Sequence, residues 1–276
     1  MISATDEHPA TLAVPDVAQC IEIAGEDARM FAQAQFSGDV RALRPAHWQW
    51  NAWLDAQGWV CALMHLADLG DGRLLALLRG GDAQAVCDAL RRYVLRARVE
   101  LTPSRDLHAL AGAPLPLGEL RADPAGSISF GYGDRSLWLA PSPGQSDPDT
   151  ERTFRLAAIR AGWPCLPMTD ETFLPPALGL ERLGAVNFDK GCYPGQEIAA
   201  RLHYRGGHKR HLSLVASRRA LSPGQPVMVG GRSRGVVLDA AAVNGGFEAL
   251  AVLSEELSID INQLDNVLKV IKRFPA

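Results

Sequence analysis

The residue with the clearest chemical potential is Cys192, in the segment 190–197, which reads KGCYPGQE. Lys190 places an ammonium two positions before it, and glycines on both sides let a partner approach the backbone. The residues from Gln196 onward predict a helix, so Cys192 would lie just before a helix N-terminus. Both an ammonium and a helix N-terminus favour the reactive thiolate over the thiol. The segment therefore predicts a functional thiol, and the alternative is a turn cysteine packed under a loop.

A cationic stretch follows at 201–211, and it contains no acidic residue. Its cationic or titratable residues are Arg201, His203, Arg205, His208, Lys209, Arg210 and His211. Such a stretch suits a polyanion, which would be a phosphate, a polyglutamate or an RNA backbone. The alternative is a solvated surface loop, the commoner state of a charge run. Tyr193 and Tyr204 flank the stretch, and their rings either stack on a heterocycle or nucleobase or belong to the core.

Composition limits the class of protein. The chain has 276 residues and is 47% hydrophobic, which is enough for a substantial core. Its formal net charge of -3 excludes a global field that attracts nucleic acid, although a local basic patch is compatible with it. No apolar run approaches the roughly 20 residues that span a bilayer. The N-terminus lacks the basic and apolar regions of a signal peptide, so we expect a cytoplasmic protein.

The remaining cysteines predict neither a disulfide framework nor a zinc site. The total of five is odd, and no pair has CxxC spacing. Cys20, Cys61, Cys87 and Cys165 lie among apolar neighbours in the sequence. We therefore expect these four to act as small hydrophobic residues.

The predicted elements indicate an α+β protein whose C-terminal part is rich in strands. Helices are predicted at 26–36, 82–95, 152–161 and 196–202. Strands are predicted at 20–23, 48–54, 59–66, 74–78, 99–101, 127–132, 137–140, 211–216, 226–229, 235–242, 247–253 and 267–271. We expect residues 1–15 to form a loose tail and residues 164–188 to form a long crossing loop. We expect residues 111–150 to form either a surface excursion or a second lobe. The last five strands are typical of a small closed or nearly closed barrel.

The segment 190–197 resembles the K-G-C-[FY]-x-G-Q-E signature of the YgfZ family. A motif of this length with a fixed cysteine is far more specific than a lone glycine pattern. The likeness extends to the blocks 23–40, 53–60, 91–99, 161–164 and 200–210. It covers nearly all of 17–276 and is weakest in 105–150.

The resemblance implies the fold of the glycine-cleavage aminomethyltransferase, or T-protein. This is an α+β ring of three small domains with a C-terminal β-barrel. The expected division is a folate-binding aminomethyltransferase-like region of two α+β lobes at 17–206 and a small β-barrel domain at 207–276. The implied cofactor is tetrahydrofolate or a related reduced folate. The implied role is the assembly or repair of iron–sulfur enzymes and the tRNA modification that depends on them.

Site residues and partners follow from the same resemblance. Cys192 is expected to be the functional thiol, with Lys190 beside it. The expected folate contacts are Tyr193, Gln196, Glu197, Arg201, Tyr204 and Arg205. The expected partners are folate, iron–sulfur client enzymes or assembly factors, and tRNA, with no membrane and no metal site, and we expect a monomer.

Two departures from the T-protein bear on the reaction. The T-protein has an Asp in a G-G-x-x-D-D block that polarises its reaction centre, whereas the corresponding segment here, 58–63, contains no carboxylate. Without it, amine transfer loses its electrostatic partner. Arg160 stands where the T-protein has a glutamate that contacts the pterin, which bears on folate affinity.

Three other hypotheses remain open beside the accessory role. The main alternative is a folate-dependent aminomethyl- or methyltransferase, against which the missing carboxylate argues. A tRNA-binding module working through 201–211 is compatible with the accessory role. A cysteine hydrolase needs a histidine near the thiol, and no acid is evidently placed to orient one. The histidines available to Cys192 are His203, His208 and His211.

Overall fold

Three β-sheets form the framework of the protein in the computed structural model, which describes residues 10–11, 18–104, 106–255 and 268–276. Within these residues the strands are β1 (Ala10–Thr11), β2 (Cys20–Ala24), β3 (His47–Leu54), β4 (Val60–Asp68), β5 (Leu74–Leu78), β6 (Glu100–Ser104), β7 (His108–Gly112), β8 (Leu120–Ala122), β9 (Ile128–Gly131), β10 (Ser136–Ala140), β11 (Gln145–Ser146), β12 (Arg210–Ser217), β13 (Pro226–Val229), β14 (Arg232–Val243), β15 (Gly246–Ser254) and β16 (Leu268–Arg273). The α-helices are α1 (Ala28–Gln35), α2 (Ala83–Arg91), α3 (Pro148–Ala161) and α4 (Gln196–Arg205). Short 3-10 helices lie at Val40–Ala42 and Pro175–Leu178.

The first sheet is antiparallel in the order β3-β4-β5-β2-β6. The predicted hairpin is present, and its last pair before the turn joins Leu54 to Val60. Helix α2 begins at the cap Asp82, whose carboxylate accepts a hydrogen bond from the Ala85 amide at 2.7 Å. It ends at Arg91, earlier than the predicted 82–95, because the chain turns there and the Tyr93 ring stays 47% exposed.

The second sheet is built mostly from 111–150, so this segment is a lobe rather than a surface excursion. Its strand order is β11-β1-β7-β10-β9-β8. The prediction of a loose tail is wrong at Ala10–Thr11, which form a strand that pairs parallel with β11 and antiparallel with β7. A strand this short carries no periodicity, so only its partners reveal it. The other residues of the predicted tail, 1–9 and 12–15, lie outside the described residues.

The third sheet contains the strands predicted for the C-terminal part, in the antiparallel order β13-β14-β15-β12-β16. Helix α3 begins with Pro148 after the cap Asp147. It ends at Ala161 and is capped by Gly162, which adopts the left-handed conformation with φ 69°. The long crossing segment between α3 and α4 then returns to the first sheet. Its Leu166 forms a parallel bridge with Gly80 at the end of β5.

One hydrophobic core joins the three sheets. It contains Trp48 of the first sheet, Phe130 of the second and Leu250 of the third, each at most 5% exposed. Because burial of apolar surface is the main stabilising contribution to a fold, the sheets are held around a common centre. The division at 17–206 and 207–276 stays a prediction.

Candidate functional site

Cys192 lies on an exposed loop that leads into α4. Its side chain is exposed and its sulfur is free. The helix begins at Gln196, as the sequence predicts for a cysteine just before a helix N-terminus. A Cβ placed on Gly191 would meet no atom of the described chain within 4 Å. The loop is therefore open to a partner on the side of the thiol.

Lys190 anchors this loop to the first lobe. Its ammonium donates hydrogen bonds to the carbonyl oxygens of Gln33 at 2.6 Å, Phe36 at 2.5 Å and Gly38 at 2.9 Å. The residue is 9% exposed, and burial lowers the pKa of its ammonium to about 8. All three of its donors are thus used by backbone carbonyls. The expected role of this ammonium beside Cys192 stays a prediction.

A close backbone contact fixes the other end of the loop. Gly195 has φ 75°, and a Cβ on it would lie 2.5 Å from the Asp55 carbonyl oxygen. Gly58, with φ 82°, would place a Cβ 3.0 Å from the side chain of Ile198. Only glycine combines this conformation with this approach. The tip of the β3–β4 hairpin therefore packs directly on the start of α4.

The six expected folate contacts differ in burial: two are buried or half-buried, and four are exposed. Tyr193 is 6% exposed, and its buried hydroxyl has no hydrogen-bond partner among the described residues. Burial raises the pKa of that hydroxyl to about 12. Gln196 is half-buried, and its amide lies 3.5 Å from the carbonyl oxygens of Phe188 and Lys190. The other four side chains are exposed on α4, and they are Glu197, Arg201, Tyr204 and Arg205.

The stretch 201–211 has no acid in its sequence, yet tertiary contacts supply two. Glu181 accepts a hydrogen bond at 2.8 Å from Nδ1 of His203 when that nitrogen is protonated. Glu171 pairs with Arg210 at 3.1 Å. The expectation of an uncompensated cationic run is therefore wrong at these two positions. An acid does orient one of the three candidate histidines, which the sequence did not reveal.

His208 and His211 form a separate pair of rings at the end of the stretch. Their ring centroids are 4.8 Å apart. Burial lowers the pKa of both imidazoles, and Arg273 lowers that of His211 further. These shifts favour the neutral form of both rings. Within the described residues no group of three or more His, Cys, Asp or Glu side chains is arranged to hold a metal ion.

Sequence reasoning missed a buried aromatic and cationic cluster in the common core. His65 is fully buried, and its ring lies 4.3 Å from that of Trp48 and 4.2 Å from that of Trp50. One ring nitrogen is 3.0 Å from the Tyr132 hydroxyl, whereas the other, Nε2, has no partner in the described chain. Burial first, and then Arg79, hold the pKa of His65 well below its ordinary value.

Two arginines border this cluster. The Arg79 guanidinium lies 5.9 Å from the Trp50 ring centroid, and that of Arg135 lies 5.7 Å from the Trp163 centroid. The Nε atoms of both are buried without a hydrogen-bond partner in the described residues. Unpartnered donors beside aromatic faces suit a flat heterocycle with acceptor groups.

A carboxylate lies near the same arginines. Burial raises the pKa of Asp239, whereas Arg155 and Arg79 lower it. The Arg155 guanidinium is 3.6 Å from the Asp239 carboxylate. Arg79 acts electrostatically on both Asp239 and His65 and lowers the pKa of each.

Cys61 is a further exposed thiol, contrary to the expectation that it packs as a hydrophobic residue. It lies at the start of β4, where the strand leaves the hairpin turn. Burial and the Asp55 carboxylate raise the pKa of its thiol. Cys20 and Cys87 are buried, and Cys165 is half-buried, as small hydrophobic residues are.

None of the helices described is long and apolar enough to cross a membrane.

Comparison with known proteins identifies the family. No protein-family model matches the chain. The tRNA-modifying protein YgfZ of Edwardsiella ictaluri is 32% identical over 93% of this chain and 88% of that protein. The chain belongs to the YgfZ family. Membership confirms the resemblance that the motif at 190–197 indicated.

Two other relatives are similar to this chain over most of its length. The tRNA-modifying protein YgfZ of Escherichia coli O7:K1 is 26% identical over 78% of this chain and 74% of that protein. An uncharacterized protein of Haemophilus influenzae is 31% identical over 71% of this chain and 70% of its own length.

A solved structure confirms the predicted fold class of this YgfZ-family chain. The glycine cleavage system aminomethyltransferase T from Bartonella henselae superposes with a TM-score of 0.60, covering 86% of this chain and 76% of that one. The two sequences are 14% identical, so the likeness concerns the fold alone. The three-sheet α+β architecture is therefore that of the aminomethyltransferases.

Proposed function

We propose that this protein is an accessory factor in the assembly or repair of iron–sulfur enzymes, including enzymes that modify tRNA, and that Cys192 is its functional thiol. The observation that carries the proposal is an exposed cysteine on a loop fixed at both ends, by Lys190 and by Gly195. Relatives named as tRNA-modifying proteins support the connection with tRNA. A thiol with no second cysteine in its loop suits transient contact with sulfur or with a cluster that a client enzyme holds.

Complementation tests this proposal. In cells that lack the protein, Cys192→Ala is expected to fold normally but to restore neither the activity of an iron–sulfur enzyme nor iron–sulfur-dependent tRNA modification. Cys61→Ala is the matched control, since Cys61 is also exposed, and it is expected to restore both. Full rescue by a stably folded Cys192→Ala protein would overturn the proposal.

We also propose that the chain binds a reduced folate. The buried cluster supports this, because the donors Arg79 Nε and Arg135 Nε and the ring nitrogen His65 Nε2 lack partners in the described core, beside Trp50 and Trp163. Such polar groups beside flat rings would suit a pterin, which has acceptor atoms on a flat ring. The six contacts expected from the sequence remain a competing location. A bound folate would supply a one-carbon carrier.

A folate-dependent aminomethyl- or methyltransferase remains the second candidate, supported by the fold. The segment 58–63 contributes the turn and the start of β4, and it holds a thiol, Cys61, rather than a carboxylate. The Arg160 guanidinium donates two hydrogen bonds to the Glu248 carboxylate, at 2.6 Å and 2.8 Å. The positive charge at this position is therefore neutralised by an acid. We expect no methylene-tetrahydrofolate to form from an aminomethylated lipoyl carrier. Turnover at the rate of a glycine-cleavage enzyme would favour the transferase.

A further inference from the structure

Three aromatic rings form a stack that ends on the surface of α4. Phe188 and His203 are stacked with centroids 4.4 Å apart and planes at 26°. His203 meets Tyr204 edge-on at 4.6 Å. Glu181 fixes the imidazole in this arrangement, and the Tyr204 ring is 72% exposed. The stack therefore holds one large aromatic ring in place on a surface that faces solvent.

Exposed arginines lie near this ring on α4. Arg201 lies three positions before Tyr204 and four before Arg205, so it is a neighbour of both on the surface of α4. Both arginines are exposed, and neither forms an ion pair within the described residues, unlike Arg210 with its Glu171. Lys209, just beyond the helix, is also exposed and unpaired there.

We infer that the α4 face, consisting of Arg201, Tyr204 and Arg205, binds single-stranded RNA, with a base stacked on Tyr204 and phosphates on the arginines. This inference rests on the proposed function, since it specifies the tRNA connection at the same segment that carries Cys192. Of the cations in the acid-free stretch 201–211, the proposed site uses the two on α4 that form no ion pair within the described residues.

The shape of this face selects among its ligands. Small-molecule sites are concave and enclose most of the ligand, whereas Tyr204 stands out on a helix and is 72% exposed. Duplex RNA is recognised through its backbone and groove shape, which leaves no base free to stack. Exposed aromatic rings beside cations are the usual means of binding unpaired bases. Single-stranded RNA is therefore the ligand that uses both features.

The test uses fluorescence anisotropy of the full chain with a labelled RNA single strand of about ten nucleotides, a length within the site sizes of such proteins. Tyr204→Ala is expected to weaken binding about tenfold and Tyr204→Phe to retain it. Arg201→Ala and Arg205→Ala should each reduce the slope of log affinity against log salt by about 0.7. Tyr93→Ala and Arg121→Ala, at an exposed tyrosine and an exposed arginine elsewhere, are expected to bind as the wild type.

Several outcomes would overturn the inference. They are the absence of binding, equal affinity for a duplex of the same length, and unchanged affinity in a Tyr204→Ala protein of normal melting temperature. Cys192→Ala is expected to bind RNA as the wild type, which separates this inference from the proposed function. If Cys192→Ala fails to rescue cells while the wild-type protein binds no RNA, the α4 face is refuted and the functional thiol stands.

Discussion

The Lys190 ammonium and the Phe36 carbonyl oxygen are joined by a hydrogen bond that spans 154 positions of the sequence. With the Gln33 and Gly38 carbonyls, it ties the loop of Cys192 to the end of α1. A lysine two residues before a cysteine suggests activation of the thiol, but here its geometry serves first to hold the loop.

Replacing Lys190 with Met is expected to destabilise the fold by roughly 2–4 kcal/mol, since three buried carbonyl oxygens lose their donor. The measurement is the free energy of unfolding from urea denaturation. Lys209→Met, at an exposed lysine, should leave this free energy unchanged. If both variants unfold at the same urea concentration as the wild type, the anchoring role is refuted.

The same lysine predicts a pH dependence. Its pKa is lowered from the ordinary 10.5 to about 8 in the folded protein, mainly by burial. Between these values the unfolded chain holds a proton that the folded chain has released, so the contribution of Lys190 to stability rises with pH. The stability advantage of the wild type over Lys190→Met should therefore grow from about pH 8 to about pH 10.5. An advantage that stays constant or shrinks over this interval would contradict the prediction.

Gly195 offers a test of the contact between the hairpin and α4. Gly195→Ala forces a Cβ to within 2.5 Å of the Asp55 carbonyl oxygen at a residue with φ 75°. We expect a loss of about 1–3 kcal/mol of stability and a poorer rescue in cells, because the loop of Cys192 shifts. Gly191→Ala, at an open position in the same loop, is the matched control and should keep its melting temperature. Equal melting temperatures for the two variants would show that the contact is not tight.

Local patterns predicted most of the elements, whereas contacts between distant segments did not show in the sequence. The cap at Asp82 and the left-handed Gly162 depend on their immediate neighbours, so the residue types indicate them. Glu181 reaches His203 across 22 positions, and Glu171 reaches Arg210 across 39. Because only the folded chain brings such pairs together, the charge balance of 201–211 was not predictable.

The buried cluster shows the same limit. His65 and Tyr132 lie 67 positions apart in the sequence and form a hydrogen bond. His65 is in β4 of the first sheet, and Tyr132 directly follows β9 of the second sheet. A histidine within an apolar strand predicts only a core residue, and its unpartnered nitrogen becomes evident from the packing alone. By contrast, the site loop was recognisable, since Cys192, its glycines and the start of α4 are contiguous.

Two variants distinguish the two proposed locations of folate, the buried cluster and α4. A ligand that binds only the folded state raises the melting temperature by mass action, so tetrahydrofolate and 5-formyl-tetrahydrofolate should each stabilise the wild type. Arg79→Met removes an unpartnered buried donor and is expected to abolish this shift, whereas Arg201→Ala should retain it. The reverse result would place folate at α4. The absence of any shift in the wild type at millimolar ligand would count heavily against folate binding.

The two exposed cysteines should differ in reactivity. The pKa of Cys61 is raised from the ordinary 9.0, first by burial and then by the Asp55 carboxylate, so little of it is thiolate at neutral pH. Cys192 is exposed on an open loop and is expected to be alkylated by iodoacetamide first, while buried Cys20 and Cys87 stay protected. Raising the pH to about 9 should speed the alkylation of Cys61, because its thiolate fraction is still increasing there. Mass spectrometry of the labelled peptides gives each rate. A Cys61 that reacts faster than Cys192 at neutral pH would contradict the prediction and make Cys61 the stronger candidate for the functional thiol.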